Sequence, residues 1–449
     1  MLFYLQQCIK RCIPNTLKNI VRHNRFYTEY ILPWRLNYQQ KKVAKLDDET
    51  FLTMRHKHIF GYIPNFKNPQ TFNEKIVHRM LYDRNPIYSA LADKLKARIY
   101  IATCLQELQN TANISHTSNI SATMSNATIS INTMGGGQSK SNALDSKHSN
   151  LSDSVSYSNH LESLHKVDSA TFNSNSLDSL NSNYSNYSNL SNHLDSKNLD
   201  SVSNLSDSNS LDSINLHSID SATLSLLFMP IDDIQDKLFE TNTCEFLPKI
   251  YGIYKNVEEI DFTLLPQSFV LKTNHDCGGV VLVQDKDEFL NNKKVFQESM
   301  DKLRKHLNTN YYTKTREWHY DSIEPRVFVE EMLGENLSDY RFHCFGGDIS
   351  FIQIANSSHT TNDIFNTKWQ HLPMHYLNPP SQTKISKPNK LSDMLNIAHT
   401  LSLPINYVRV DLYVIKNKIF VGELTFTPNG GTAKFTPQEW DKTLGDLWQ

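Results

Sequence analysis

The chain has 449 residues, with 45 basic against 47 acidic side chains, so bulk electrostatics favours neither nucleic acid nor an anionic membrane as partner. Cys8, Cys12, Cys104, Cys244, Cys277 and Cys344 are scattered, without a Cys-x-x-Cys pair or a zinc-spaced cluster. That pattern reads as a reduced, cytoplasmic protein and not as a disulfide scaffold. No run approaches the roughly 20 apolar residues of a membrane helix.

In chain order, residues 1–47 read as an N-terminal helical segment. Its start, "MLFYLQQCIKRCIPN", is apolar for only a few residues before Lys10 and Arg11, so no secretion signal is read; peripheral contact with a membrane through this amphipathic start is left open. Residues 48–109 form a first globular block. It ends in "NPIYSALADKLKARIYIATCLQEL", where Asn85 suits an N-cap, Pro86 suits a first turn, and Ile87, Leu91, Leu95 and Ile99 recur at helical spacing. One continuous helix is expected, with Asp93, Lys94 and Arg98 off its apolar stripe, on a face that either meets water or serves a site.

From about 110 to 225 the composition turns to Ser, Asn, Leu and Asp, with Leu-Asp-Ser recurring irregularly. No strict repeat period supports a solenoid, and the few leucines bury too little area to offset chain entropy. A disordered surface insertion is expected.

Residues 226–449 are strand-dominated. In "FVLKTNHDCGGVVLVQDK" (269–286), two apolar runs read as a hairpin around a loop with Gly278 and Gly279. Those glycines either shape a turn or let backbone N–H groups approach an anion, with Lys272 as a point charge suited to phosphate. In "SDYRFHCFGG" (338–347), Asp339, Arg341 and His343 share one face of a strand, and Tyr340, Phe342 and Cys344 the other. "YVRVDLYVIKNKIFVGELTF" (407–426) reads as a second hairpin. A three-residue loop Lys416-Asn417-Lys418 sets Asp411 opposite Glu423 and Arg409 opposite Thr425; a two-residue loop would break that register. Facing carboxylates repel unless a cation sits between them, and Mg²⁺ takes one or two carboxylates with phosphate oxygens and water. The pair therefore reads either as a metal clamp or as a solvated row. Removing one carboxylate is expected to stabilise the metal-free protein.

The order of "PQTFNEKI", "LADKLKAR", "LPKIYGIY", "LPQSFVLKTNHDCGG", "VEEMLGENLSDYRFHCFGG" and "RVDLYVIKNKIFVGELTFTPNGG" resembles the ATP-grasp superfamily, and more narrowly the TupA-like proteins of bacterial surface-polysaccharide and teichuronopeptide biosynthesis. The resemblance implies an α+β ATP-grasp fold whose two lobes, about 240–333 and 334–449, clasp ATP, with ATP and Mg²⁺ as cofactors. By that likeness Lys94 and Lys272 hold ATP phosphates under the Gly278–Gly279 loop. Glu330 or Glu331, with Met332 and Leu333, forms the adenine-side hinge, and Asp339 meets the ribose with Arg341 beside it. Asp411 and Glu423 carry Mg²⁺, and Arg409 and Lys272 spread charge during phosphoryl transfer. The family's asparagine after the metal glutamate is absent, leaving Thr425 or Asn429 for its place and the number of metals open.

The implied activity is an ATP-dependent ligase that joins a carboxylate-bearing sugar or amino acid to an amine acceptor in the cytoplasm. A glycosyltransferase using "DKD" at Asp285–Asp287 and a catalytically silent nucleotide-binding protein are the alternatives. A eukaryotic-type kinase is disfavoured, because neither His-Arg-Asp nor Asp-Phe-Gly occurs.

Overall fold

The computed structural model describes residues 45–106, 108–109, 219–335 and 337–449. The amphipathic start and residues 110–218, where most of the expected insertion falls, lie outside the described residues. The insertion's expected end needs correction. Ser221–Phe228 is a helix whose cap, Asp220, accepts the Thr223 N–H at 2.8 Å, and Ile219 and Leu227 are buried in the main core. The packed chain therefore resumes by Ile219, because Leu224, Leu226 and Leu227 follow a good cap and have a core to enter. No helix among the described residues is long and apolar enough to cross a membrane.

Two antiparallel sheets carry the architecture. The first has the order β1-β4-β2-β3, from β1 (Ile250–Tyr254), β2 (Phe269–Thr273), β3 (Val280–Val283) and β4 (Val327–Glu331). The period-2 alternation of a strand sorts its side chains. Phe269 and Leu271 of β2, with Val327 and Val329 of β4, pack in one cluster with Met300 and Leu303 of the helix Lys293–Leu307. Lys272 and Glu330, out of phase with those residues, take the opposite face.

The second sheet has the order β10-β9-β5-β6-β7. It contains β5 (Asp339–Phe345), β6 (Asp348–Ala355), β7 (Asn362–Phe365), β9 (Val408–Ile415) and β10 (Lys418–Thr425). A two-stranded ribbon, β8 (His375–Tyr376) with β11 (Phe435–Thr436), completes the strands. Phe342, Cys344, Ile352, Ile354, Val410 and Leu412 share a buried cluster with Met394, Ile397 and Leu401 of the helix Leu391–Ser402. The alternate positions, Asp339, Arg341, Arg409 and Asp411, are thereby turned to the other face.

The helix expected through Ile87–Ile99 is broken. Ile87–Ala92 is one helix, and the chain becomes extended at Asp93 (φ −68°, ψ 112°) before helix resumes at 96. The Asp93 carboxylate accepts the Leu95 N–H at 2.9 Å and so starts the second helix. Asp93 and Arg98 are buried, which removes the solvated-face reading. The N-cap position falls on Pro86 and not on the expected Asn85; Asn85, one residue earlier, accepts the Ile87 N–H through its side chain at 3.1 Å.

The second hairpin reaches the expected pairing by another route. Its turn has two residues, Lys416 (φ 49°) and Asn417 (φ 64°), with Ile415 opposite Lys418. Left-handed conformations at both turn residues match the right-handed strand twist. A bulge at Gly422 then shifts the register by one, so Glu423 still faces Asp411 and Thr425 faces Arg409.

Three buried imidazoles give a pH signature. Burial lowers His56 to about 4 and His319 to about 3, and holds His343 well below its ordinary value. In the unfolded chain they protonate near pH 6.5, whereas in the fold they stay neutral. Stability should therefore be fully present above pH 6.5 and fall as the pH drops toward 4, by about 1.4 kcal/mol per pH unit for each group. Urea midpoints from pH 7 to 4 should show this, with a shallower slope in His319→Phe.

Candidate nucleotide and metal site

The faces of the two sheets and the corner at Asp93 enclose a cleft lined by Lys94, Lys272, Phe328, Glu330, Leu333, Tyr413 and Glu423. Lys272 pairs with Glu330 across neighbouring strands, and Lys94 donates to the Asp276 carbonyl. Both lysines thus reach the cleft, one from the sheet and one from the helix corner.

Asn274, which the sequence reading passed over, holds that corner. Its amide donates to Asp93 and to the Glu324 carbonyl, each at 3.0 Å, and its side-chain oxygen accepts the Arg326 N–H at 2.7 Å. Its carbonyl accepts the Lys94 N–H at 3.2 Å. The only hint in the sequence is a polar residue straight after a strand; its partner Asp93 lies 181 residues away.

The glycine loop is held in place from both sides. Gly278 has φ +92°, and a Cβ on Gly279 would fall 1.8 Å from the Thr273 hydroxyl. Thr273 donates to Asp276, which also pairs with His306 of the helix Lys293–Leu307. Asp276 and His306 are further site residues that the sequence reading did not single out.

Across the cleft lies a row of charges. Arg409 meets Asp411 with two hydrogen bonds, 2.7 Å from Nε and 2.6 Å from Nη2, and the same Nη2 reaches Glu423 and Thr425, each at 3.1 Å. Arg341 makes a two-point contact with Asp339 at 2.8 and 2.6 Å and approaches Asp411 at 3.7 Å. Burial drives the Asp411 carboxyl upward against the pull of Arg409; both of its oxygens accept N–H groups, so the ionised form prevails here. Burial opposes the Arg409 charge, but Asp411, Glu423 and Asp339 outweigh it and raise its pKa well above the ordinary value. Desolvation likewise pushes Glu423 up, and Arg409, Lys94 and Arg341 bring it below the usual range.

Arg409 is therefore the cation between the facing carboxylates. This corrects the expectation that removing one carboxylate relieves repulsion, since each already has a positive partner. No group of three or more His, Cys, Asp or Glu gathers as a metal site among the described residues. Mg²⁺ shared with phosphate oxygens needs fewer protein ligands, and the residues fit that case. The Glu423 side chain is 46% exposed, and the buried Asp339 Oδ1 has no hydrogen-bond partner.

Strand alternation separates the hinge candidates. Glu330 and Leu333 line the cleft, whereas Glu331 accepts the Lys249 N–H at 3.3 Å at the sheet's exposed side, and Met332 is not part of the lining. Thr425 donates to Glu423 at 3.2 Å; Asn429 is turned to the Tyr376 hydroxyl at 3.2 Å. Asp285 caps the helix Lys286–Asn291 through the Glu288 N–H at 2.8 Å, and Asp287 accepts from Gln267 at 2.9 Å. Both aspartates lie outside the cleft lining, so the metal-binding reading of "DKD" loses its support.

A strand-built cleft with lysines on one wall and an Arg–carboxylate row on the other has the architecture of an ATP-grasp module. Residues 238–449 match the family model of the TupA-like ATP-grasp proteins. No curated protein matches the chain. Among solved structures, a D-alanine–D-alanine ligase from Bacillus anthracis in complex with ATP is 18% identical, covering 46% of this chain and 56% of that one, with a TM-score of 0.26. An L-amino acid ligase from Bacillus licheniformis is 13% identical, covering 47% and 48%, with a TM-score of 0.27. A D-alanine–D-alanine ligase from Helicobacter pylori is 16% identical, covering 44% and 54%, with a TM-score of 0.28. The chain spans less than two thirds of the length of each.

The Gly422 bulge offers a test of the carboxylate register. A Cβ there would lie 2.5 Å from the Tyr413 ring, so Gly422→Ala should lower the unfolding free energy by about 1–3 kcal/mol. Urea denaturation reads this; an unchanged midpoint would show that the ring yields freely and that the bulge does not depend on glycine.

Proposed function

We propose that this protein is an ATP- and Mg²⁺-dependent carboxylate–amine ligase. The observation that carries the reading is that Glu423, joined to Asp411 through Arg409, lines one cleft with Lys94 and Lys272. Phosphoryl transfer needs positive charge placed where the phosphate oxygens carry negative charge, and it needs few covalent contributions from the protein. Lys272 and Lys94 supply that charge from one side, exchanging Glu330 and the Asp276 carbonyl for phosphate. Arg409, fixed by Asp411, supplies it from the other.

The glycine loop lies on the Lys94 side, where Gly278 and Gly279 let the backbone close over phosphates. Glu330 and Leu333 stand at the adenine end, with Asp339 and Arg341 toward the ribose. Mg²⁺ held by Asp411 and Glu423, with Thr425 beside them, would neutralise phosphate charge. In the reaction a substrate carboxylate attacks the γ-phosphorus and ADP leaves; an amine then attacks the acyl carbon and expels inorganic phosphate. The resemblance to proteins of surface-polymer biosynthesis makes uronic acids and amino acids the first carboxylates to test.

ADP release by the full chain, against a panel of both classes with and without Mg²⁺, tests the reading; no release with any pair would overturn it. Lys272→Ala should weaken ATP binding about tenfold or more, a loss of about 1.4 kcal/mol or more, while the fold stays intact. Equal affinity by calorimetry would remove Lys272 from the phosphate site. Asp411→Ala should abolish turnover and also destabilise the metal-free protein by about 3–5 kcal/mol, because Arg409 is left buried without its partner. A stabilised, active variant would contradict the assigned role of the row.

A further inference from the structure

One wall residue of the cleft has no task in the mechanism above. Tyr320 lines the cleft together with Lys94, Lys272 and Glu423, and its hydroxyl has no hydrogen-bond partner among the described residues. Other tyrosines of the fold use theirs. The hydroxyls of Tyr88 and Tyr312 donate to Asp83 and Asp48, at 2.9 and 2.8 Å, and that of Tyr100 to the Leu401 carbonyl at 2.8 Å. A phenol donates one hydrogen bond, so Tyr320 brings an uncommitted donor to the cleft.

The residues before it fix where that donor stands. Tyr320 ends the short 3-10 turn Trp318–Tyr320, and its N–H meets the Glu317 carbonyl at 3.1 Å. Successive side chains hold this turn down. Glu317 accepts from Thr427, the Trp318 indole N–H donates to the Arg79 carbonyl at 3.2 Å, and the buried His319 ring packs on Phe426 with centroids 6.4 Å apart. Phe426 and Thr427 directly continue β10, the strand that carries Glu423 and Thr425. The Tyr320 ring meets those of His319 and Tyr311 at 4.5 and 5.0 Å. A ring locked by packing, with its hydroxyl left over, is the arrangement of a preorganised site group.

The neighbouring charges locate the hydroxyl along the cleft. Burial first, then Glu317 and Glu423, push the phenol well up, with Cys277 adding and Arg409 opposing. Desolvation raises the thiol of Cys277, the residue before Gly278, with Glu423 adding and Lys94 opposing. Tyr320 therefore stands where the glycine loop, Lys94 and the Arg409–Glu423 pair converge. In the ligase reading that convergence is the γ-phosphate end. A phenol kept protonated there offers a donor and adds no negative charge against the phosphate.

We propose that Tyr320 is a further catalytic residue, its O–H donating to an oxygen of the transferring γ-phosphoryl group. This rests on the ligase reading. In that step the bond from a carboxylate oxygen to phosphorus forms as the bond from phosphorus to the ADP oxygen breaks; the phenolic proton stays on Tyr320. The lysines and Arg409 attract the triphosphate before and during transfer. A donor aimed at the planar group acts when that geometry is reached, and such a contact lowers the barrier without tightening ATP.

The test reads MgADP binding to the full chain by calorimetry, with and without aluminium fluoride, whose planar ion mimics the transferring group. Aluminium fluoride should tighten MgADP on the parent protein. Tyr320→Phe keeps the ring and its packing; it should bind MgADP alone as the parent does and lose about tenfold or more of the tightening. Tyr311→Phe should retain it. In the ADP-release assay Tyr320→Phe should lower kcat about a hundredfold with KM for ATP unchanged. Full tightening in Tyr320→Phe would overturn the proposal, as would an equal loss in Tyr311→Phe or a parent that binds MgADP and gains nothing from aluminium fluoride. A parent that does not bind MgADP would overturn the ligase reading, and this assignment with it. Should Tyr320→Phe not fold, a ring-fluorinated tyrosine in place of Tyr320 decides: its fluorine resonance should move when aluminium fluoride joins MgADP, and an unmoved resonance would overturn the assignment.

Discussion

The contact between Arg409 and Asp411 governs how the candidate site is arranged. Two hydrogen bonds of 2.6 and 2.7 Å lock the guanidinium flat against the carboxylate, and from that position a single nitrogen reaches Glu423 and Thr425 on the neighbouring strand. A buried arginine cannot discard its proton, so the pair exchanges desolvation cost for a fixed positive charge in the cleft. Everything on that face follows the same alternation: Glu423, Asp411 and Arg341 lie in one row across β10, β9 and β5. The helix Leu391–Ser402 enforces it by burying the opposite face.

The other wall is organised by a different constraint, the backbone break at Asp93. A continuous helix would have left Lys94 on the helix surface. The extended residue at Asp93, capped onto Leu95 and held by Asn274, instead presents Lys94 to the glycine loop. The loop and the lysine are thus one unit, joined by hydrogen bonds between residues far apart in sequence. Burying that polar junction is tolerable because its donors and acceptors are matched.

One expectation came out right for a reason that differs from the one that suggested it, and two failed. Asp411 does face Glu423, but through a two-residue turn followed by a bulge at Gly422, and the cation between them is an arginine. A strand pattern has a period of two and cannot show a one-residue slip that a later bulge cancels. The helix through Asp93 failed because its apolar spacing continues across the break; both halves bury the same stripe. The helix Ser221–Phe228 was masked by the polar composition that precedes it, although its cap and its leucines are ordinary helix signals.

What the sequence determined by itself was the inventory and its alternation. The glycine loop after β2, the split of Asp339 and Arg341 from Phe342 and Cys344, and the carboxylates on facing strands all follow from local geometry, because side-chain direction in a strand depends only on position along it. Tertiary structure alone decided which charges became neighbours. Asn274 meets Asp93 across 181 residues, Arg55 meets Gly430 across 375, and Thr427 meets Glu317 across 110. No local period encodes such contacts, since they arise where separate elements are pressed together by the burial of their apolar faces, and a polar residue then bonds whatever partner that packing leaves within reach.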